Sequence, residues 1–98
     1  MTIRKRVLVS GLVQGVCFRA YTRDTAKRLG VTGWVRNLPD GTVEAVVQGE
    51  PAIIQSILEW FHEGPPYSRV DRVLVRDEPP REEFVDFDIR YGPGAGWL

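Results

Sequence analysis

Cysteine is almost absent from this 98-residue chain: Cys17 stands alone, so no intrachain disulfide can hold the fold. A single thiol suits a reducing compartment, and the expected location is the cytoplasm. Histidine is equally scarce, with only His62. No cluster of His, Cys, Asp and Glu shows metal-ligand spacing, so neither a metal centre nor a cofactor is expected. An excess of either charge is also missing. Thirteen Lys and Arg balance thirteen Asp and Glu, leaving no net field to attract nucleic acid or an anionic membrane, and neither is an expected partner. No apolar run approaches the roughly 20 residues a spanning helix needs. Arg4-Lys5-Arg6 before Val7-Leu8-Val9 faintly has the form of a signal peptide's start. Ser10, Gly11 and Gln14 interrupt that run, however, and no small-residue cleavage site follows.

What is present is an ordinary globular balance, 43% apolar and 27% charged, enough for one domain with a modest core. Ile3 to Ser10 is rich in β-branched residues and reads as a central strand. Phe18, Thr22, Thr25, Ala26 and Leu29 then recur at helical spacing, and Gly30 supplies the stop. Val31 to Asn37 is a second strand, Leu38-Pro39-Asp40-Gly41 a turn, and Thr42 to Gln48 the hairpin partner. Pro51 opens a second helix whose buried stripe is Ile53, Ile54, Ile57, Leu58 and Phe61, ended by Gly64-Pro65-Pro66. Arg69 to Arg76 is a fourth strand, and Asp77 to Glu83 a charged loop. In Phe84 to Tyr91, Val85, Phe87, Ile89 and Tyr91 alternate with polar residues, as in a strand with one face in the core. The order βαββαβ, with room for one further short strand, predicts a ferredoxin-like α+β sandwich, an antiparallel sheet with two helices on one face. Residues 1–91 form the expected domain, and the Gly/Pro-rich 92–98 a loosely ordered tail.

The stretch with chemical content lies between the first strand and the first helix. Val9-Ser10-Gly11-Leu12-Val13-Gln14-Gly15-Val16-Cys17-Phe18-Arg19 runs from a strand through glycines into a helix N-terminus. Backbone N–H groups converge there without partners, and the helix dipole favours negative charge. Gly15 accepts backbone angles that turn successive N–H groups to one side, and Arg19 adds a planar fork suited to phosphate. The local reading is a phosphate cradle. Glycine turns before helices also serve merely to reverse the chain, and these residues alone leave both readings open. Neither G-x-x-x-x-G-K-[ST] nor G-x-G-x-x-G is present, so this is not a nucleotide loop of either kind.

Two segments resemble the paired signatures of the acylphosphatases: Gly11-x-Val13-Gln14-Gly15-Val16-x-Phe18-Arg19, and Gly33-Trp34-Val35-Arg36-Asn37-x-x-Asp40-Gly41-Thr42-Val43-Glu44. The intervening Ala26-x-x-Leu29-Gly30-Val31-x-Gly33 fits the same pattern. The resemblance covers most of the chain and implies metal-free hydrolysis of acyl phosphates to carboxylate and orthophosphate. It assigns phosphoryl binding to Arg19 and positioning of the attacking water to Asn37. Gln14, Gly15, Val16, Cys17, Phe18 and Arg19 are the expected substrate-binding residues, with a turn role equally open for Gln14. The implied partners are a small-molecule acyl phosphate and its product phosphate, handled by a monomer. The chemistry agrees, since a carboxylate leaving group of pKa roughly 4 needs no general acid, and phosphoryl transfer mainly needs charge stabilisation and in-line positioning.

The remaining candidates have blander roles. Cys17 is spaced Cys-x-Arg, not as a loop wrapped around a phosphocysteine, so a packed or variable loop role is expected for it. His62 suits the last turn of its helix. Trp34, Trp60 and Phe61 are expected to pack in the core or at an edge, and Arg36, on the face opposite Asn37, to be solvated. The rival class is a non-catalytic anion-binding or regulatory module of the same fold. An RNA-binding sheet would display aromatics on its central strands, and 4–10 and 42–48 contain none.

Overall fold

The computed structural model describes residues 1–81 and 84–91. Its elements are β1 (Ile3–Leu12), α1 (Phe18–Leu29), β2 (Thr32–Asn37), β3 (Val43–Gly49), α2 (Pro51–Glu63), β4 (Arg69–Glu78) and β5 (Phe87–Arg90). The strands form one sheet in the order β4-β1-β3-β2-β5. The fold is the expected ferredoxin-like one, with β1 internal, between β4 and β3. Residues 92–98, the expected tail, and Glu82-Glu83 of the expected charged loop lie outside the described residues.

Alternation along the strands explains the layers. Val7 and Val9 of β1, Val43, Ala45 and Val47 of β3 and Val35 of β2 are fully or almost fully buried, in one cluster with Phe18, Ala26, Ile54, Ile57 and Phe61 from the helices. α1 packs against β2 and β5, α2 against β4, β3 and β1, and the helices touch each other. Gly30 closes α1 in the left-handed conformation, its N–H bonded to the Ala26 and Lys27 carbonyls. Pro51 opens α2, where a missing N–H is harmless.

Three expectations change. The sheet is mixed rather than wholly antiparallel, because β5 runs parallel to β2, pairing Gly33 with Phe87 and Arg36 with Arg90. The last strand is also shorter than 84–91. Phe87 is buried, but Val85 is 93% exposed, so alternation marks the inward face only where β2 provides pairing. Conversely, β4 runs two residues further than expected, to Glu78, because β1 continues to pair with it as far as Arg4.

The helix-free face is not simply solvated. Glu44 is fully buried there, accepting from Arg36 Nε at 2.7 Å and Arg6 Nη1 at 3.0 Å. Trp34 lies under the guanidiniums of Arg90, Arg36 and Arg6, 4.7, 4.9 and 5.7 Å from its ring centroid. Arg36 does point away from Asn37's face, but it is an ion-pair partner of a buried carboxylate rather than a solvated side chain. Arg81 and Phe84, beyond β4, lie against this face. The Gln48 side-chain amide donates from Nε2 to the Arg81 carbonyl and accepts at Oε1 from the Arg81 N–H, and Phe84 lies 4.7 Å beneath the Arg4 guanidinium.

Candidate active site

The loop between β1 and α1 is fixed at both ends by apolar anchors. Val13 and Phe18 are each 1% exposed, and Phe18 stacks on Phe61 at 6.3 Å and tilts against Trp60 at 5.6 Å. The segment between them is forced to the surface. Gly15 has φ +77° with nothing near its missing Cβ, so it is required for backbone conformation rather than for space. Cys17, the N-cap of α1, is also left-handed (φ 61°), and its side chain makes no capping bond. Two left-handed residues therefore bend the chain into a concavity at an uncapped helix N-terminus, a place where backbone donors and dipole favour an anion.

A cavity of about 330 Å³ opens at this point, lined by Gln14, Gly15, Cys17, Phe18, Arg19 and Asn37, with Val13, Ala20, Ile89 and Tyr91. Arg19, in the first turn of α1, sits with its Cζ 5.0 Å from the Tyr91 ring centroid, and among the described residues no carboxylate neutralises it. Asn37 ends β2, and its Oδ1 is buried with no hydrogen-bond partner among the described residues. A buried unsatisfied amide oxygen costs about 1–3 kcal/mol unless something in the site meets it. An unpaired cation and an unmet acceptor thus border one cavity.

The structure brings most of the expected residues together, with distinctions among them. Gly15, Cys17, Arg19 and Asn37 line the cavity. Phe18 lines it too, with its ring buried in the core. Val16 does not line it, and its side chain packs on the core. Gln14 lines it, but its Nε2 donates to the carbonyls of Leu38 and Thr42, both at 2.8 Å. Cys17 is an exposed free thiol, and His62 is exposed at the end of α2, away from the cavity. Sequence reasoning missed Tyr91 and Ile89 as lining residues. Their alternation with Phe87 gave their face, but only the parallel pairing of β5 with β2 brings them beside Asn37.

Residues 5–89 match the acylphosphatase family model. The chain belongs to the acylphosphatase family. A protein of Rubrobacter xylanophilus named acylphosphatase is 55% identical over 89 residues, 91% of this chain and 81% of that one. The crystal structure of acylphosphatase from Bacillus subtilis superposes with a TM-score of 0.87 at 35% identity, covering 93% of this chain and 100% of that one. Full-length HypF, in a phosphate- and nucleotide-bound form, contains a similar unit, with TM-score 0.87 and 28% identity over 98% of this chain but 13% of HypF. The acylphosphatase fold thus occurs both as a small protein and within a larger one, and this chain matches the small form over nearly its full length.

Proposed function

We propose that this chain is an acylphosphatase that hydrolyses the carboxyl–phosphate bond of small acyl phosphates. Water attacks phosphorus in line, the bond from phosphorus to the acyl oxygen breaks, and carboxylate and orthophosphate leave. The loop amides of residues 15–19 and the Arg19 fork hold the phosphoryl oxygens, stabilising charge where it accumulates. Asn37 orients the water. The observation that carries this reading is the buried Asn37 Oδ1, which among the described residues has no hydrogen-bond partner, on the same cavity as the Arg19 guanidinium, which among them has no carboxylate partner. A water meeting that acceptor places one hydrogen on it and keeps a lone pair for phosphorus. No general acid is needed, because the leaving carboxylate has a pKa of roughly 4. A loose transition state lets the water attack before its proton passes to the phosphate oxygens or to solvent. Water rather than Cys17 is the nucleophile, and no metal takes part. Among the described residues no group of three or more His, Cys, Asp or Glu is arranged to hold one. Arg19 and Asn37, the two proposed catalytic residues, line one cavity of a single chain, which supports a monomer, and the exposed Cys17 thiol supports a reducing, cytoplasmic setting.

Benzoyl phosphate hydrolysis with and without EDTA tests the class, and Asn37→Ala tests the mechanism. Turnover should survive the chelator, and a chelator-dead enzyme restored by one metal would overturn the metal-free reading. Asn37→Ala should lose about 3–4 kcal/mol of transition-state stabilisation, a hundredfold or more in kcat. Phosphate should still raise its Tm, since loop amides and Arg19 provide the binding. A non-catalytic anion-binding module would bind phosphate and turn over nothing.

A further inference from the structure

Gln14 sits in the middle of the cradle, yet its geometry is not that of a ligand. A side-chain amide has two N–H hydrogens. Gln14 Nε2 lies 2.8 Å from the Leu38 carbonyl and 2.8 Å from the Thr42 carbonyl, 24 and 28 residues away in the chain. Those two acceptors account for both hydrogens. What remains is an amide oxygen, which repels phosphoryl oxygens rather than binding them. The two carbonyls are a matched pair across the hairpin: the Leu38 N–H itself donates to the Thr42 oxygen at 2.9 Å. Leu38 directly follows Asn37, so the Gln14 amide grips the backbone one residue from the side chain that meets the water.

We propose that Gln14 is a positioning residue, a brace that fixes the distance between the phosphate cradle and Asn37. This rests on the reading of Asn37 given above. The cradle belongs to β1 and α1, Asn37 to the β2–β3 hairpin, and β1 and β2 are not neighbours in the sheet. β3 lies between them, so no ladder bond joins the cradle directly to the end of β2. The Gln14 amide supplies that tie. In-line attack needs water and phosphorus held in register, and a misplacement near 1 Å can cost about a hundredfold in rate.

The test is a set of variants measured for kcat, phosphate affinity and Tm with benzoyl phosphate as substrate. Gln14→Ala should lower kcat about tenfold to a hundredfold while phosphate affinity stays within about threefold. Gln14→Glu turns an oxygen pair toward two carbonyl oxygens at neutral pH, and regains one donor when protonated. Its kcat relative to wild type should therefore climb as pH falls from about 8 to about 5, while that of Gln14→Ala does not. In the Asn37→Ala background, adding Gln14→Ala should cost little more, because the brace acts through Asn37. Losses that multiply in the double variant, with weakened phosphate binding, would make Gln14 a ligand and overturn the proposal. A lowered Tm with normal kcat would make it a fold staple and overturn it equally. If Asn37→Ala itself turns over normally, the water-positioning reading fails along with the brace. A slow Asn37→Ala beside a normal Gln14→Ala overturns the brace alone.

Discussion

Arginine and lysine carry the same charge, but only arginine offers a flat fork of donors that can also lie on an aromatic ring. Arg19 has both opportunities, an uncapped helix N-terminus beside it, where dipole and free N–H groups favour an anion, and the Tyr91 ring 5.0 Å away. Arg19→Lys should therefore behave almost like Arg19→Ala, with both losing phosphate affinity by calorimetry along with kcat/KM. A lysine variant that keeps most of the wild-type affinity would show that charge alone is sufficient there. At this scale the sequence was uneven to read. Gly15 and Arg19 were visible as a strand–glycine–helix pattern because backbone conformation and donor type are properties of single residues. Asn37 was visible only through family resemblance, since an asparagine before a Pro-Asp-Gly turn looks like a turn residue. Its unmet Oδ1 is a property of the packed surroundings. Val16 is expected at the site with its neighbours; its side chain packs on the core, which leaves only its backbone to face the cradle.

The β2–β3 hairpin shows what an element adds to such residues. Its turn is closed by Leu38 N–H to the Thr42 carbonyl at 2.9 Å and Gly41 N–H to the Leu38 carbonyl at 3.2 Å. Asp40 Oδ1 accepts from the Thr42 hydroxyl at 2.6 Å and the Thr42 N–H at 3.0 Å. Those bonds, the hydroxyl's first and the backbone's second, hold the Asp40 carboxyl below its ordinary pKa. Because the folded value is the lower one, the contribution to stability is present above the unfolded value of about 3.9. It disappears as pH falls through the folded value. Asp40→Ala should lower Tm at neutral pH, and the gap to wild type should close as acid protonates the carboxylate. A gap of constant size down to the acid limb would mean the charge is irrelevant and only turn conformation matters. The turn itself was readable, since proline and glycine punctuate it at fixed offsets. The direction of β5 was not. Alternation reports which face a residue takes, and is the same for parallel and antiparallel pairing.

Over the whole molecule, the two sheet faces solve different burial problems. The helix face is aliphatic and aromatic, the arrangement that alternation in β1 and β3 announces. The other face buries a charge: Glu44 is 0% exposed, held by Arg6 and Arg36, whose side chains are 23% and 18% exposed. Burial alone would lower the pKa of Arg6, but its bonds to Glu78 and Glu44 outweigh that and raise it. The sequence hid this face because polar residues at outward positions of a strand read as solvated. Only the register, which places Glu44 opposite Leu8 on one side and Arg36 on the other, reveals a closed layer. Removing one member of a buried ion group costs more than the group contributes, because the remaining charges stay desolvated and facing each other. Glu44→Gln keeps the shape and leaves two guanidiniums without their shared anion. The expected loss is about 3 kcal/mol or more, which for a domain of this size is a Tm drop of about 12–24 °C. The cavity lies on the loop side of β1 and β2, and none of its lining residues belongs to this ion group. Turnover per folded molecule, measured well below the lowered Tm, should therefore stay near wild type, while high salt should not rescue the stability, since buried pairs are screened little. A Glu44→Gln protein with an unchanged Tm would show that the arginines find water or other carboxylates at no cost, and that this face holds its charges as a surface rather than as a second core.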